Sequence, residues 1–550
     1  MVAKPPLKTA DEVLNQPPPL VDYNLFTSDK ALVAALDREG AGWAKNSITE
    51  FGKLVGSQEV IQWGFQANQN PPILHTHDRF GHRIDEVEYH PAYHQLMKLS
   101  IAHGLHSLPW AEPKPGAHVA RAAKMFLAAQ NEFGHLCPVS MTYSVVPALR
   151  KQPELSKSWE PKIFTKNYDP SIQPFSQKSG VTLGMAMTEK QGGSDVRANT
   201  TQAIPLHGSG TGAEYLITGH KWFCSAPMSD AFLVLAQAPG GLSCFLLPRW
   251  TPDGERNHLY LQRLKDKLGN RSNASSEVEF ENAWARMVGE EGRGVPTIIE
   301  MVNHTRLDCV IGATGLMRQA LVQALHHCLH RKAFGKKLIE QPLMKNVLAD
   351  LFLESEAGLL LMMRLARAYD HQQDKTQESP FRRIATAVAK YWTCKRCPSH
   401  VYEALECLGG NGFVEESILP RLYREAPLNS IWEGSGNVIC LDVLRAIQKE
   451  PNSLDALLEE IELAKGIDKR FDLFVKNLKQ QLASHENLEI QARRLVEQLA
   501  LALQGSLLIR FSSKELVDAF CVSRLEKDGG LAFGTLSPKT DFDSILKSKM

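Results

Sequence analysis

The hydrophobic period changes along the chain, and that change decides most of what it can fold into. Up to about residue 175 apolar residues recur at helical spacing, as in Leu32, Val33 and Leu36, or Val119, Ala122, Ala123, Phe126 and Leu127. From about 181 to 285 the pattern becomes short alternating runs and bursts: Tyr215 with Ile217, Val278 with Phe280, Phe232 to Leu235, Cys244 to Leu247. Gly208 to Gly212 and Pro239 to Gly241 supply the turns. After Gly294 the helical period returns up to about Lys449. Pro451 interrupts it, and helices resume to about residue 528, with Phe471, Phe474, Val475, Leu478 and Leu482 on one face. The expected class is α+β and multidomain. The division is a proline-rich arm and helical domain (1–180), a β domain (181–288), a helical bundle (289–449) and an extra helical domain (450–550).

Local signals refine this. Pro17, Pro18 and Pro19 exclude helix and central strand, so the N-terminus reads as an extended arm. Ser28 with Asp29 caps a first helix. Residues 159 to 178 carry Pro161, Pro170 and Pro174 and read as a linker, and His75 to His77, beside Pro71 and Pro72, read as a loop.

The length of 550 residues suits two to four domains. Hydrophobic residues at 43% and charged residues at 22% argue against wholesale disorder. A net charge of +1 points to neither a polyanion partner nor an acidic tail. No apolar run approaches 18 residues, and the N-terminus lacks the apolar core of a signal peptide. Ten scattered cysteines read as reduced thiols, so a soluble cytoplasmic protein is expected.

Several segments carry chemistry. Met187, Thr188, Glu189, Lys190, Gln191, Gly192, Gly193, Ser194, Asp195 and Val196 enter the β domain. Their small and hydroxyl residues allow close approach to a ring edge or phosphate, and equally a plain glycine turn with an Asx bond. Lys221 to Ser225 reads as a strand in which Trp222 and Phe223 face opposite ways, one towards a planar ligand and one into the core. Arg306 reads as the start of a long helix and Arg331 with Lys332 as the end of one, suited to the helix dipole or to a pyrophosphate. Leu408 to Gly412 follows a helical pattern, so it reads as a helix stop and not a dinucleotide loop. Ile431 to Asn437 sets Glu433 between an indole and a glycine pair. Such a carboxylate is either an exposed loop residue or a desolvated base. The lone Cys394/Cys397 pair and the His326, His327 and His330 group lack zinc-site spacing, and no metal is expected.

Taken in order, seven segments resemble the acyl-CoA dehydrogenase family of flavoproteins: Met187 to Asp195, Lys221 to Ser225, Lys267 to Arg271, Thr305 with Arg306, Arg331 to Gly335, Gly409 to Gly412, and Trp432 to Ser435. Further likeness at Asn15 to Leu20, Arg38 to Trp43, Leu264 to Ser275 and in the helical region after Leu444 extends to a bacterial alkylation-response branch of that family. The resemblance implies an acyl-CoA dehydrogenase fold: N-terminal helical domain, middle β-barrel and C-terminal helix bundle, here with an extra C-terminal helical domain. It implies FAD, a homotetramer, weak dehydrogenation of short branched acyl-CoA such as isovaleryl-CoA, and double-stranded DNA binding by the extra domain in the response to DNA alkylation.

Carried residue by residue, the resemblance places Met187 to Val196 along the flavin, and Phe223, Cys224 and Ser225 against the isoalloxazine. Ile431, Trp432, Gly434, Ser435, Gly436 and Asn437 complete the cofactor pocket, and Arg331 and Gln341 reach the FAD of a neighbouring subunit. Glu433 stands where the family has its base, with its backbone N–H and the flavin ribityl hydroxyl on the thioester carbonyl. Arg306 would serve the substrate. Three positions depart from the family: Asn303 stands where an Asp is frequent, Trp432 replaces the usual Tyr, and Cys224 replaces a residue aromatic in the alkylation-response branch. For DNA, residues 451–550 hold 14 Lys and Arg against 15 Asp and Glu. Binding there would need cations gathered on one face, with Lys476, Lys479, Arg493, Arg494 and Arg510 as candidates. Other readings are a DNA-protective flavoprotein with incidental catalysis and an acyl-CoA oxidase.

Overall fold

The structure is a computed structural model and describes residues 13–371, 376–484 and 488–547. Residues 1–12 of the expected arm lie outside the described residues; from 13 to 29 the chain runs without helix or strand. Asp29 caps the first helix, Lys30–Arg38, by accepting from the Leu32 N–H, which meets a donor that the helix itself leaves open.

Two expectations for the N-terminal region are corrected. His75 to His77 is not a loop: β1 (Ile73–His77) pairs antiparallel with β2 (Arg83–Glu88). The tight Asp78–His82 turn closes it, with Asp78 accepting from the Phe80 and His82 N–H groups. Nor is 159–178 wholly a linker, because Trp159 to Ile163 finish the helix Pro153–Ile163, where Trp159 is buried and stacks on Phe175.

The β domain is a closed barrel, as the family resemblance implies. Its strands are β3 (Leu183–Ala186), β4 (Gln202–Pro205), β5 (Glu214–Ser225), β6 (Ala231–Ala238), β7 (Gly241–Pro248), β8 (Leu259–Leu264) and β9 (Ser275–Val288). The order β4-β5-β9-β7 closes through β6, which pairs with both β7 and β4, while β3 adds to β6 and β8 to β9. The apolar bursts of β6 and β7 are almost entirely buried, as expected of strands covered on both faces.

A helix of 37 residues, Gly294–His330, forms the spine of the bundle. Arg306 therefore lies well inside it and not at its start, while Arg331 does cap its end. The spine packs on Ala117–Asn131, Leu136–Leu149, Pro342–Asp370 and Glu378–Glu406. The last helix stops at Glu406, and Gly409 follows with φ +58°, which suits the glycine stop. The extra region contributes Pro451–Glu462, Lys469–Ala483, Leu488–Phe511 and Lys514–Phe520. Its core is continuous with the bundle through Leu495, Leu499 and Leu503. Among the described residues no helix is long and apolar enough to cross a membrane.

Candidate active site

Glu433 occupies a loop between the Ser430 turn and the helix Gly436–Lys449. It is half-buried and has φ +58°, a strained value for a residue with a side chain. Its carboxylate accepts from Thr305 Oγ1 at 2.8 Å. Its carbonyl accepts from Arg306 Nε at 3.0 Å, and the flanking carbonyls of Trp432 and Gly434 accept from Lys390 Nζ at 2.9 and 2.5 Å. Burial pushes the Glu433 carboxyl above its ordinary value, against the opposing pull of Thr305, Arg306 and Lys390. A carboxylate so placed is a better proton acceptor than one in water.

Arg306 is occupied from behind. It forms an ion pair with Asp442 at 2.8 Å, and Asp442 also pairs with Arg383 at 3.1 Å. Its bonds to the Glu433 carbonyl and Asp442 place it behind the loop. Asn303 presents its carbonyl to the Tyr369 hydroxyl at 2.7 Å.

The walls around Glu433 come from three elements. Cys137, on Leu136–Leu149, lies among Lys267, Glu433, Asn273 and Ser225, and burial pushes its thiol up to about 12. The Trp432 ring sits 6.2 Å from that of Phe133 and donates its N–H to Asn429 at 2.9 Å. Lys267 reaches Ser275 Oγ at 3.1 Å, and Ser275 Oγ is 3.3 Å from Ser225 Oγ. Ser225 and Glu433 thus share the neighbourhood of one thiol.

The two β-domain segments meet. The Trp222 N–H donates to the Thr188 carbonyl at 2.8 Å. Within the first segment Glu189 is fully buried and forms an ion pair with equally buried Lys221 at 2.7 Å. Thr200, Thr201 and Gln191 complete its shell. Glu189 therefore anchors the loop from below. Lys190 is exposed with its N–H on His220, Asn199 holds the Met187 carbonyl, and Val196 opens a short turn after Asp195. Gly192, Gly193, Ser194 and Asp195 are exposed. A Cβ on Gly193 would stand 2.4 Å from Thr188 Oγ1, so only glycine lets the loop fold onto Thr188.

The alternation expected for Trp222 and Phe223 is corrected, because the β5–β9 register shifts between Lys221 and Cys224. Neither ring enters the core. Trp222 is covered by Lys265 Nζ at 3.4 Å, and Phe223 is 49% exposed. Cys224 is buried instead, its thiol pushed up to about 12 by burial.

Other expected site residues lie apart. Arg331 and Gln341 stand beyond the far end of the spine, about 37 Å from Arg306 at 1.5 Å per residue. Arg331 donates to the Asn15 carbonyl at 2.8 Å and Gln341 to the Ala333 carbonyl at 3.1 Å, beneath the N-terminal arm. Of the five cations on the extra region, Lys479 pairs with Glu462, Arg510 pairs with Glu460 at 2.6 Å, and Arg493 donates to Asn437 Oδ1 at 2.8 Å. Lys476 and Arg494 are exposed. Arg493 thus ties the extra region to the first turn of the helix that follows Glu433.

Residues 15–170 match the adaptive response protein AidB N-terminal domain, 184–283 the acyl-CoA dehydrogenase middle domain, and 292–448 the acyl-CoA dehydrogenase C-terminal domain. AidB of Escherichia coli (strain K12) is 46% identical over 538 residues, covering 98% of each chain. The chain belongs to the acyl-CoA dehydrogenase family. Acyl-CoA dehydrogenase family member 11 of Caenorhabditis elegans is 30% identical over 494 residues, 87% of this chain and 78% of that one. The crystal structure of C. elegans ACDH-11 in complex with C11-CoA superposes with TM-score 0.86 at 26% identity, over 100% of this chain and 99% of that one.

Members of this family are FAD-binding flavoproteins, and the residues present fit that cofactor. The half-exposed Phe223 ring offers a face to a planar ring system. Ser225 offers a hydroxyl beside it, and the glycines after Gln191 let backbone approach closely. Lys390, Thr305 and Cys137 were not singled out as site residues by sequence reasoning. The one available signal was Lys390 itself, a lone cation in the apolar run Ala387 to Tyr391.

Proposed function

We propose that the chain is an FAD-dependent acyl-CoA dehydrogenase acting on short branched thioesters of isovaleryl-CoA type, with Glu433 as the base. The observation that carries this reading is the Glu433 carboxylate, raised in basicity by burial and aimed by Thr305 at 2.8 Å. FAD, held along residues 187–196 and 223–225, would supply the acceptor for the hydride that leaves the β-carbon. Glu433 takes the α-proton, and the electron pair of that C–H bond becomes the α,β double bond. The Glu433 N–H holds the thioester oxygen, on which negative charge develops. Cys137, Phe133 and Trp432 bound the acyl end and favour a short chain. Arg331 and Gln341 serve the flavin of a neighbouring subunit in a homotetramer, Arg306 holds the Glu433 loop in place beneath the substrate, and the protein works in the cytoplasm. An anaerobic titration of holoprotein with isovaleryl-CoA tests this. Bleaching of the oxidised flavin band, lost in Glu433→Gln, is expected; a band unchanged in the wild type overturns it.

Kinship with AidB and the match to an adaptive-response domain favour a second reading, association with double-stranded DNA during the alkylation response. Lys476 and Arg494 are two exposed cations among those available for phosphates. Duplex binding that weakens steeply with salt supports it, and binding indifferent to both salt and Lys476→Ala with Arg494→Ala removes it.

A further inference from the structure

Three successive carbonyls around Glu433 end on two cations. Lys390 Nζ takes those of Trp432 and Gly434 at 2.9 and 2.5 Å, and Arg306 takes that of Glu433 at 3.0 Å. The backbone makes this inward turn through φ +58° at Glu433 and +110° at Gly434. Arg306 is balanced by Asp442. Lys390 is 1% exposed, and among the described residues it forms no ion pair. Its charge therefore falls on the peptides it touches and on the nearby Glu433 carboxyl.

The C=O of Trp432 and the N–H of Glu433 belong to one peptide group. A trans peptide sets the two on opposite sides, so the carbonyl drawn to Lys390 turns the Glu433 N–H away from it. We propose that Lys390 is a positioning residue that acts through the Trp432–Glu433 peptide, polarising the Glu433 N–H as the donor to a thioester carbonyl. This rests on the acyl-CoA reading above. A hydrogen bond to an ion is about twice as strong as a neutral one, and bonded groups polarise one another by about 10–30% per bond. Burial leaves that field unscreened by water. Any donor could fasten the loop and polarise the peptide a little; a cation does so about twice as strongly.

The test uses pivaloyl-CoA labelled with 13C at the carbonyl. It has no α-proton, so its carbonyl stretch reports hydrogen bonding alone. In wild-type holoprotein the band is expected to shift to lower frequency than in buffer. In Lys390→Met about half or more of that shift should vanish, with flavin content and pivaloyl-CoA affinity retained, and Lys390→Arg should restore part of it. Flavin reduction by isovaleryl-CoA should slow about tenfold in the Met variant, less than the 10²–10³ lost when a whole oxyanion donor is removed. An unchanged frequency in a folded Lys390→Met protein overturns the proposal. If that variant does not fold, Lys390→Gln, which keeps a donor without charge, makes the same comparison with the same two outcomes. Failure of pivaloyl-CoA to bind the wild type would overturn the acyl-CoA reading, and the inference with it; binding without any shift overturns the inference alone.

Discussion

Thr305 Oγ1 donates to Glu433 Oε2 at 2.8 Å across 128 residues of sequence, joining the spine helix to the loop that carries Glu433. The Val302 carbonyl lies 3.0 Å from the same oxygen as the alternative acceptor for its one proton, so its position is set by the helix. The bond favours the ionised carboxylate and opposes the desolvation that raises its pKa.

Thr305→Val removes that bond and keeps the shape. The Glu433 pKa then rises further, and because the base must be ionised, the acid limb of the flavin-reduction rate moves to higher pH. One lost neutral-to-ion hydrogen bond, about 1.5–3 kcal/mol, corresponds to a displacement of about one to two pH units. Stopped-flow reduction with isovaleryl-CoA between pH 5 and 9 measures it. A limb that stays put would mean that Thr305 does not tune the base.

The Glu189–Lys221 pair makes a prediction about folding. Both side chains are fully buried, and their bond supports the loop that carries Thr188. Glu189→Ala leaves an uncompensated ammonium, a loss of about 3–5 kcal/mol. Glu189→Leu with Lys221→Met removes both charges and should recover most of that stability. Denaturant midpoints and bound flavin per chain check both variants.

The sequence makes the frame legible and leaves the wiring hidden. The helical, β and helical order follows from periodicity; the start of β5 alternates because one face is buried, and the bursts of β6 and β7 are apolar throughout because both faces are covered. The hairpin at His75 is missed because its residues alternate only weakly and neither strand is buried on a full face. Arg306 is misplaced within its helix because Gly294 to Thr305 carries no charge pattern that marks a start. Glu433 is legible as a carboxylate beside an indole. Its partners are not: Thr305 and Lys390 reach it over 128 and 42 residues, and no local pattern encodes such contacts. Trp222 and Phe223 both stay out of the core because the register shifts between Lys221 and Cys224, a bulge that no local pattern announces.

On the proposed reading, Trp432 sets the depth of the acyl end. Its ring faces Phe133 at 6.2 Å and is pinned through Asn429. Trp432→Tyr shortens the side chain and frees the Asn429 oxygen. The ratio of kcat/KM for hexanoyl-CoA over isovaleryl-CoA should rise about tenfold, the scale of one or two methylenes in an apolar pocket. A ratio that does not change would place the acyl chain elsewhere.

Stability should fall as the pH rises through neutrality, because of Glu425. It is 4% exposed and accepts from the Asn270 N–H at 2.6 Å and its side-chain amide at 2.9 Å. Burial, with nearby Glu132 adding to it, pushes its carboxyl up to about 7 against those bonds. The folded chain keeps this proton where the unfolded chain, with a pKa near 4.5, has released it. The contribution is therefore complete below about pH 4.5 and lost as pH passes 7. The whole span is about 3 kcal/mol at 1.36 kcal/mol per unit. Glu132 works in the opposite sense: its bond to His135 helps hold its carboxyl down near about 2, so its contribution is lost only as the pH falls from about 4.5 towards 2. Glu425→Gln removes the ionisation and keeps one of the two acceptors facing Asn270. Its unfolding midpoint should approach the wild-type value at pH 5 and exceed it at pH 8. Parallel midpoint curves for the two proteins across that interval would show that Glu425 is ionised in both states.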